Sequence, residues 1–326
     1  MTSPEPAPET EPEPAPAPTE AAQAVAEIVR TVLAESRPAL LRAALSGDRG
    51  ESENARHADN FLSEHDLRMH ERYCELFTAA LGSFVYASEE ADPQVIGADP
   101  DPDLLVLVDP LDTSELAVRA LHGHTHVLLY SRALARPVVA VVGDIFHHLQ
   151  LFVACRHPDG TDRAYLETAD GRRYGLRTRE PVALSRALVT NYLMRPAQRF
   201  RPLARQEGLL NALAAVPEPG PDGGTGKSGG RIGVDFGSIS LCHVASGQTD
   251  ATFEFAKGFA IWDLAPGHYI LHAAGGTVVD LAGREIPLDY GLSDLRAIAA
   301  AMGERRTFVA AGGPALAHEI MAGLIG

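Results

Sequence analysis

Residues 104–116 read LLVLVDPLDTSEL. The opening run of Leu and Val, bounded by a turn signal, has the composition of a strand buried on both faces. It stops at Asp109, and Pro110 sets φ for a turn. Asp112 follows, and Thr113 and Ser114 are good N-cap residues for a helix through ELAVRAL. A helix start offers free N–H groups and the positive end of a dipole to an anion. Two carboxylates beside a phosphate-binding helix end would repel the phosphate unless a hard, oxygen-liganded cation such as Mg²⁺ lies between them. The plainer alternative is that Asp112 caps the helix and Asp109 ends a strand at the surface.

Further carboxylates at element ends favour the first reading. Glu89 and Glu90 close the strand candidate SFVYASEE (83–90), and Asp263 stands beside the only tryptophan at the start of the helix candidate WDLAPGHYILHAAGG (262–276). Around them, Val25, Ile28, Val29, Val32, Leu33, Leu40 and Leu41 recur at helical spacing, and Pro38 predicts a break in that helix. A second helix is expected after Ser63, with Leu67, Tyr73, Leu76 and Phe77 on its buried face. HTHVLLYS, RPVVAVVGDIF, HLQLFVAC and LSRALVTNYL read as strands, RPLARQEGLLNALAAV as a helix, and GSISLCHVASG (237–247) as a helix capped by Ser238 and closed by Gly247. ATFEF and TVVDLAGREI add short strands. This irregular alternation favours a layered α/β architecture over a purely wound parallel sheet.

Composition narrows the function. The chain has 326 residues, and 43 Asp and Glu against 28 Lys and Arg give a net charge of −15. That sign opposes unspecific binding to nucleic acid or an anionic membrane. No apolar run approaches the ~18 residues needed to span a bilayer, and the N-terminus lacks a signal-peptide pattern, so a cytoplasmic location is expected. Cys74, Cys155 and Cys242 are too far apart for a zinc knuckle and odd in number for a disulfide framework. The Pro, Ala and Glu alternation of residues 1–21 predicts a disordered tail, followed by lobes over 22–180 and 181–326. GTGKS (224–228) fails as a P-loop, because the position that needs the first Gly is Pro221.

Taken in order, SEHD (63–66), SEE (88–90), VDPLDTS (108–114), RPVVAVVGD (136–144), GSISLCHVASGQTDATFE (237–254) and IWDLAPGHYILHAAGG (261–276) resemble the motif series of the inositol monophosphatase family of magnesium-dependent, lithium-sensitive phosphatases. The resemblance covers about residues 22–326. It implies an αβαβα sandwich and a phosphomonoesterase using two or three Mg²⁺ ions. It makes Glu89, Asp109, the Leu111 carbonyl, Asp112 and Asp263 the metal ligands, and Asp66 with Ser114 the pair that orients an attacking water. Thr113, Ser114, Gly237, Ser238 and Glu254 then fall on substrate-binding positions, Glu254 displaced by two residues relative to the WD motif. A homodimer is plausible on the same ground. Two departures stand out: Thr113 replaces the family's Gly after the second Asp, and Pro266 replaces an Ala in WDxAAG. We expect the loop to have adjusted around Thr113, placing its hydroxyl beside the phosphate.

Rival readings are weaker or narrower. An aspartyl-nucleophile phosphatase needs one residue between its two Asp, whereas Pro110 and Leu111 intervene here. His122, His124 and His126 alternate and would share one strand face suited to zinc, yet without nearby partners they read as surface or secondary groups. A catalytically impaired member that binds a phosphometabolite or regulates is the alternative that Thr113 keeps open. The ester itself, whether of inositol, histidinol, a sugar or a nucleotide, is not written in any pocket motif.

Overall fold

A computed structural model describes residues 15–52, 61–179, 182–215 and 229–325. Tail residues 1–14, the GTGKS stretch and the expected lobe boundary at 180–181 lie outside the described residues. The chain forms α1 (Glu20–Ser46), a two-stranded pair β1 (Glu51–Ser52) and β2 (Leu62–Ser63), and α2 (Glu64–Ala80). Next come β3 (Phe84–Ser88), β4 (Ala91–Ile96), β5 (Leu104–Asp112), the one-turn α3 (Ser114–Ala117), β6 (His124–Ser131), β7 (Arg136–Asp144), β8 (Leu149–Arg156), β9 (Asp162–Thr168) and β10 (Arg173–Gly175). After them run β11 (Leu188–Asn191), α4 (Arg201–Ala204), α5 (Glu207–Ala214), β12 (Arg231–Val234), α6 (Gly237–Ala245) and β13 (Ala251–Phe259). The chain finishes with α7 (Ile261–Ala273), β14 (Thr277–Val279), α8 (Leu295–Gly303), β15 (Arg306–Ala311) and α9 (Pro314–Ile325).

Among the described residues, one sheet has the order β10-β9-β8-β7-β6-β5-β3-β4 and a second the order β12-β11-β13-β15-β14. Three apolar cores, one between the sheets and one on the outer face of each, hold the layers together. Val29, Val32 and Leu33 of α1 and Tyr73 and Phe77 of α2 cover one face of the first sheet. Ile239 and Leu241 of α6 and Trp262, Leu264 and Tyr269 of α7 fill the space between the two sheets. Leu209 and Leu213 of α5 and Leu316 and Ile320 of α9 close the far side of the second sheet. The result is the αβαβα sandwich.

Four local expectations need correction. α1 runs unbroken through Pro38, because Val29, Val32 and Leu33 before it and Leu40 and Ala43 after it are all buried in the molecule. That shared packing outweighs the roughly 3 kcal/mol cost of an internal proline. Part of the expected tail is structured: Thr19 caps α1 by accepting from the Ala22 N–H at 3.2 Å, and Ala15 packs against the α1 core. Leu41 and Leu67 face outward, while Leu40 and Met69 take the inner positions. α6 is capped at Phe236, not Ser238.

Ser238 instead joins the two middle helices. Its hydroxyl donates to the Asp263 carbonyl at 2.6 Å and accepts from the Gly267 N–H at 3.0 Å. Gly267 lets the helices touch: a Cβ there would lie 2.5 Å from the Ser238 carbonyl oxygen and 3.0 Å from Leu241 Cβ. Gly267→Ala should therefore cost about 1–3 kcal/mol, the usual range for overpacking. Urea unfolding of the two proteins checks this, and equal midpoints would show that the helices separate freely.

Candidate active site

The site begins with a β-bulge. β5 pairs with β6 so that Asp109 faces His126 and Asp112 faces His124, three steps on one strand against two on the other. Pro110, which has no N–H to give the ladder, sits where pairing is broken. The extra residue reverses the alternation of sides, so Asp109 and Asp112 reach the same imidazole. Asp109 Oδ2 lies 3.4 Å from His126 Nδ1, and Asp112 Oδ2 lies 3.5 Å from His126 Nε2. A plain strand would have pointed the two carboxylates to opposite faces.

Other elements bring the remaining groups. Glu89 follows β3, the parallel neighbour of β5, and lines the cleft with Asp112 and Asp263. Asp263 stands at the third position of α7, where its Oδ2 accepts from the Ala260 N–H at 3.3 Å. A ligand atom from each of Asp109, His126 and Asp263 lies within 4.8 Å of the other two. Asp66 occupies the same helical position in α2: its Oδ2 accepts from the Ser63 N–H at 2.8 Å, and its Oδ1 accepts from the Ser114 hydroxyl. The Leu111 carbonyl is 2.8 Å from that same hydroxyl.

Burial and mutual repulsion set the electrostatics. Burial first, then Asp112 and Asp263, pushes the Asp109 carboxyl well above the usual carboxylate range. Burial, then Asp109 and Asp263, does the same to Glu89. Asp112 is pushed up to about 7 by burial, against the lowering influence of His126. Asp66 is raised by burial and pulled back by its bonds from Ser114 and Ser63. Both oxygens of Asp109, Oδ2 of Asp112 and Nε2 of His126 are buried without a hydrogen-bond partner among the described residues. Buried polar atoms left unpaired carry a penalty that a cation would remove, so the donor set fits divalent metal.

The expected substrate positions divide. Thr113, Ser114 and Gly237 line the cleft. Ser238 is buried in the α6–α7 contact, and Glu254 is turned inward, accepting from Arg199 Nε and from the Ala256 and Lys257 N–H groups at 3.0 Å. Neither is among the residues that line the cleft. Gly237 is required where it stands, since a Cβ would lie 2.2 Å from Asp112 Oδ2 and 2.8 Å from His126 Cε1. Sequence reading overlooked the basic residues that also line the cleft, Arg195, Arg199 (paired with Glu254), Lys257 and Arg305, and Tyr192 with them. It read the HGHTH histidines as surface or secondary groups; His124 and His126 are 2% and 0% exposed, which rules out the surface for these two. Their two-residue spacing was the available signal.

Thr113 keeps the left-handed conformation of a glycine, with φ 61° and ψ 37°. The loop has not adjusted. Its hydroxyl donates to the Asp112 carbonyl at 2.6 Å instead of standing free beside a phosphate. A β-branched residue in this region stores on the order of 1 kcal/mol of strain. Thr113→Gly should therefore raise stability by about that amount with unchanged substrate preference, read from unfolding midpoints beside a panel of phosphomonoesters.

A pH effect also follows. Because the folded-state pKa values of Asp109, Asp112 and Glu89 lie above their ordinary values, their protonated forms stabilise the metal-free fold at low pH. That contribution is lost as pH rises, for Asp112 from near 4 through about 7. A bound cation displaces those protons and restores it. The rise in melting temperature on adding divalent cation should be larger at pH 7.5 than at pH 5.5, and a gain independent of pH would count against the cluster.

Known proteins resemble this chain in sequence and in fold. Human inositol monophosphatase 2 is 34% identical over 138 residues, 41% of either chain. The Nus factor SuhB of Pasteurella multocida is 30% identical over 191 residues, 59% of this chain and 62% of that one. The chain thus spans 41% and 62% of the length of these relatives. The crystal structure of the extragenic suppressor protein suhB from Bartonella henselae superposes with a TM-score of 0.65, covering 92% of this chain and 98% of that one at 18% identity, a likeness of fold. The model of the inositol monophosphatase family matches residues 16–312, and the chain belongs to that family.

Proposed function

We propose that the protein is a metal-dependent phosphomonoesterase acting on a small phosphorylated polyol, sugar or nucleotide. The observation that carries this reading is the convergence of Glu89, Asp109, Asp112 and Asp263, with both oxygens of Asp109 and one of Asp112 buried and unpaired among the described residues, at a cleft that basic side chains also line. In a chain of net charge −15, Arg195, Arg199, Lys257 and Arg305 at one cleft suit an anionic substrate. The four carboxylates and the Leu111 carbonyl would hold two or three divalent cations, Mg²⁺ by family resemblance. Bound cations would lower the pKa of a water and offset charge on the phosphoryl group and leaving oxygen.

The chain's own groups supply the positioning. Asp66 and Ser114, already hydrogen-bonded to one another, offer acceptors that would orient the attacking water. Thr113, Ser114 and Gly237 form the cleft floor against which the phosphate would lie. The relatives named Nus factor and the strained Thr113 favour a second reading, a phosphometabolite-binding regulator of low turnover. Nucleic acid and membrane are not proposed as partners, and a homodimer is.

Chelation should abolish phosphate release, and added divalent cation should restore it. Asp109→Asn should reduce turnover below detection while leaving circular dichroism native-like and the metal-free protein at least as stable at neutral pH. Ester binding without release in the metal-loaded wild-type protein would favour the regulatory reading. Turnover that survives chelation would defeat the metal-dependent one.

A further inference from the structure

The HGHTH stretch supplies a residue that the carboxylate reading leaves unused. His126 lies in the middle of the acidic cluster, fully buried, on the strand paired with β5. Its Nδ1 is 3.2 Å from the Trp262 carbonyl oxygen and 3.4 Å from Asp109 Oδ2. Both neighbours are acceptors, so Nδ1 is the nitrogen that carries the proton in the neutral ring. Nε2 then holds a lone pair and faces Asp112 Oδ2 at 3.5 Å, with neither atom hydrogen-bonded among the described residues. Two buried acceptors facing each other repel unless something positive lies between them.

We propose that His126 Nε2 is a metal ligand, so that one cation position in the cluster is a mixed nitrogen and oxygen site that prefers Mn²⁺, Co²⁺ or Zn²⁺ to Mg²⁺. The inference rests on the metal-dependent reading above and concerns which ion one position selects. Two donors bound at ~2.1 Å, with an angle between right and tetrahedral, stand roughly 3.0–3.4 Å apart, close to the spacing of Nε2 and Asp112 Oδ2. The bond from Nδ1 to a backbone carbonyl is the usual outer support of a metal-bound histidine, fixing tautomer and ring plane together. Imidazole is a good ligand for first-row transition metals, whereas Mg²⁺ keeps to oxygen. Gly237 belongs to the same device, because any side chain there would push Asp112 and the imidazole apart.

The rival is that His126 is protonated and serves as a built-in counter-charge, taking the place of a cation. Binding measurements on the full chain separate the two without relying on turnover. Metal-free wild-type protein and His126→Val are titrated with CoCl₂ and with MgCl₂ by calorimetry, and X-ray absorption is recorded on Co²⁺-loaded wild-type protein. Because Co²⁺ binds more tightly than Mg²⁺ at most sites, the readout is the ratio of the two affinities. The expected result is a ratio that falls by about tenfold or more in the variant, the scale on which histidine shells affect metal affinity, with imidazole scattering in the wild-type spectrum. An unchanged ratio, affinities for both ions that rise in the variant, or a spectrum without imidazole would overturn the proposal. Should His126→Val not fold, the wild-type spectrum decides alone. If neither ion binds wild-type protein, the metal-dependent function fails too. If both bind and phosphate is released but imidazole is absent, only this inference fails.

Discussion

Everything at the site depends on one extra residue in β5. Without the bulge between Asp109 and Asp112, strict alternation would send one carboxylate toward the α1–α2 core and the other toward the middle helices. Pro110 promotes the bulge by being unable to donate at its place in the ladder. Leu111, 1% exposed, anchors the bulged segment in the α1–α2 core, so the two neighbouring aspartates are held on the cleft side. The carboxylate geometry is thus a local irregularity enforced by a regular sheet on either side of it.

Middle helices α6 and α7 complete the site from the other direction. Asp263 must reach β5 from a different part of the fold, and its placement follows from how closely α6 and α7 pack. Gly267 permits the approach, and Ser238 spans it with two hydrogen bonds, one of them to the Asp263 carbonyl. Gly237, one residue earlier, leaves room for Asp112 and His126. The same short run GSIS therefore shapes the cleft on one side and the helix contact on the other. That explains why Ser238, placed among substrate groups by resemblance, lies buried behind the carboxylate cluster and not in the cleft.

How much of this was legible in the sequence follows from the range of the forces involved. The Leu and Val run of β5, the Ser63 and Asp66 capping signal of α2 and the Gly275–Gly276 stop after α7 are local features, and the folded elements follow them. The layered α/β class followed from their order. Misreadings arose where packing or a specific bond overrides local preference: Pro38 inside a helix anchored on both sides, Thr113 left-handed with its hydroxyl bonded to the Asp112 carbonyl, and Glu254 claimed by Arg199. The HGHTH histidines were legible only as a spacing. Their burial depends on β6 being covered on both faces, and the partners that give His126 its meaning come from β5 and α7.

The carboxylates are not equally dependent on a cation for their positions. Asp66 and Asp263 each give one oxygen to the backbone at the start of a helix, where N–H groups need acceptors, and so are oriented by the fold itself. Asp112 receives a backbone hydrogen bond from Thr113 and keeps Oδ2 for the cleft. Asp109 has neither oxygen satisfied among the described residues, and its place is set only by the rigidity of β5 between β3 and β6. A side chain so placed pays full desolvation without any compensating bond, and its position in the middle of a strand prevents it from turning away. The fold thus concentrates its unmet electrostatic demand at Asp109, with His126 as its nearest neighbour. Any cation bound at a site arranged in this way would meet pre-positioned groups, so its affinity would go to relieving charge and little of it to ordering the chain.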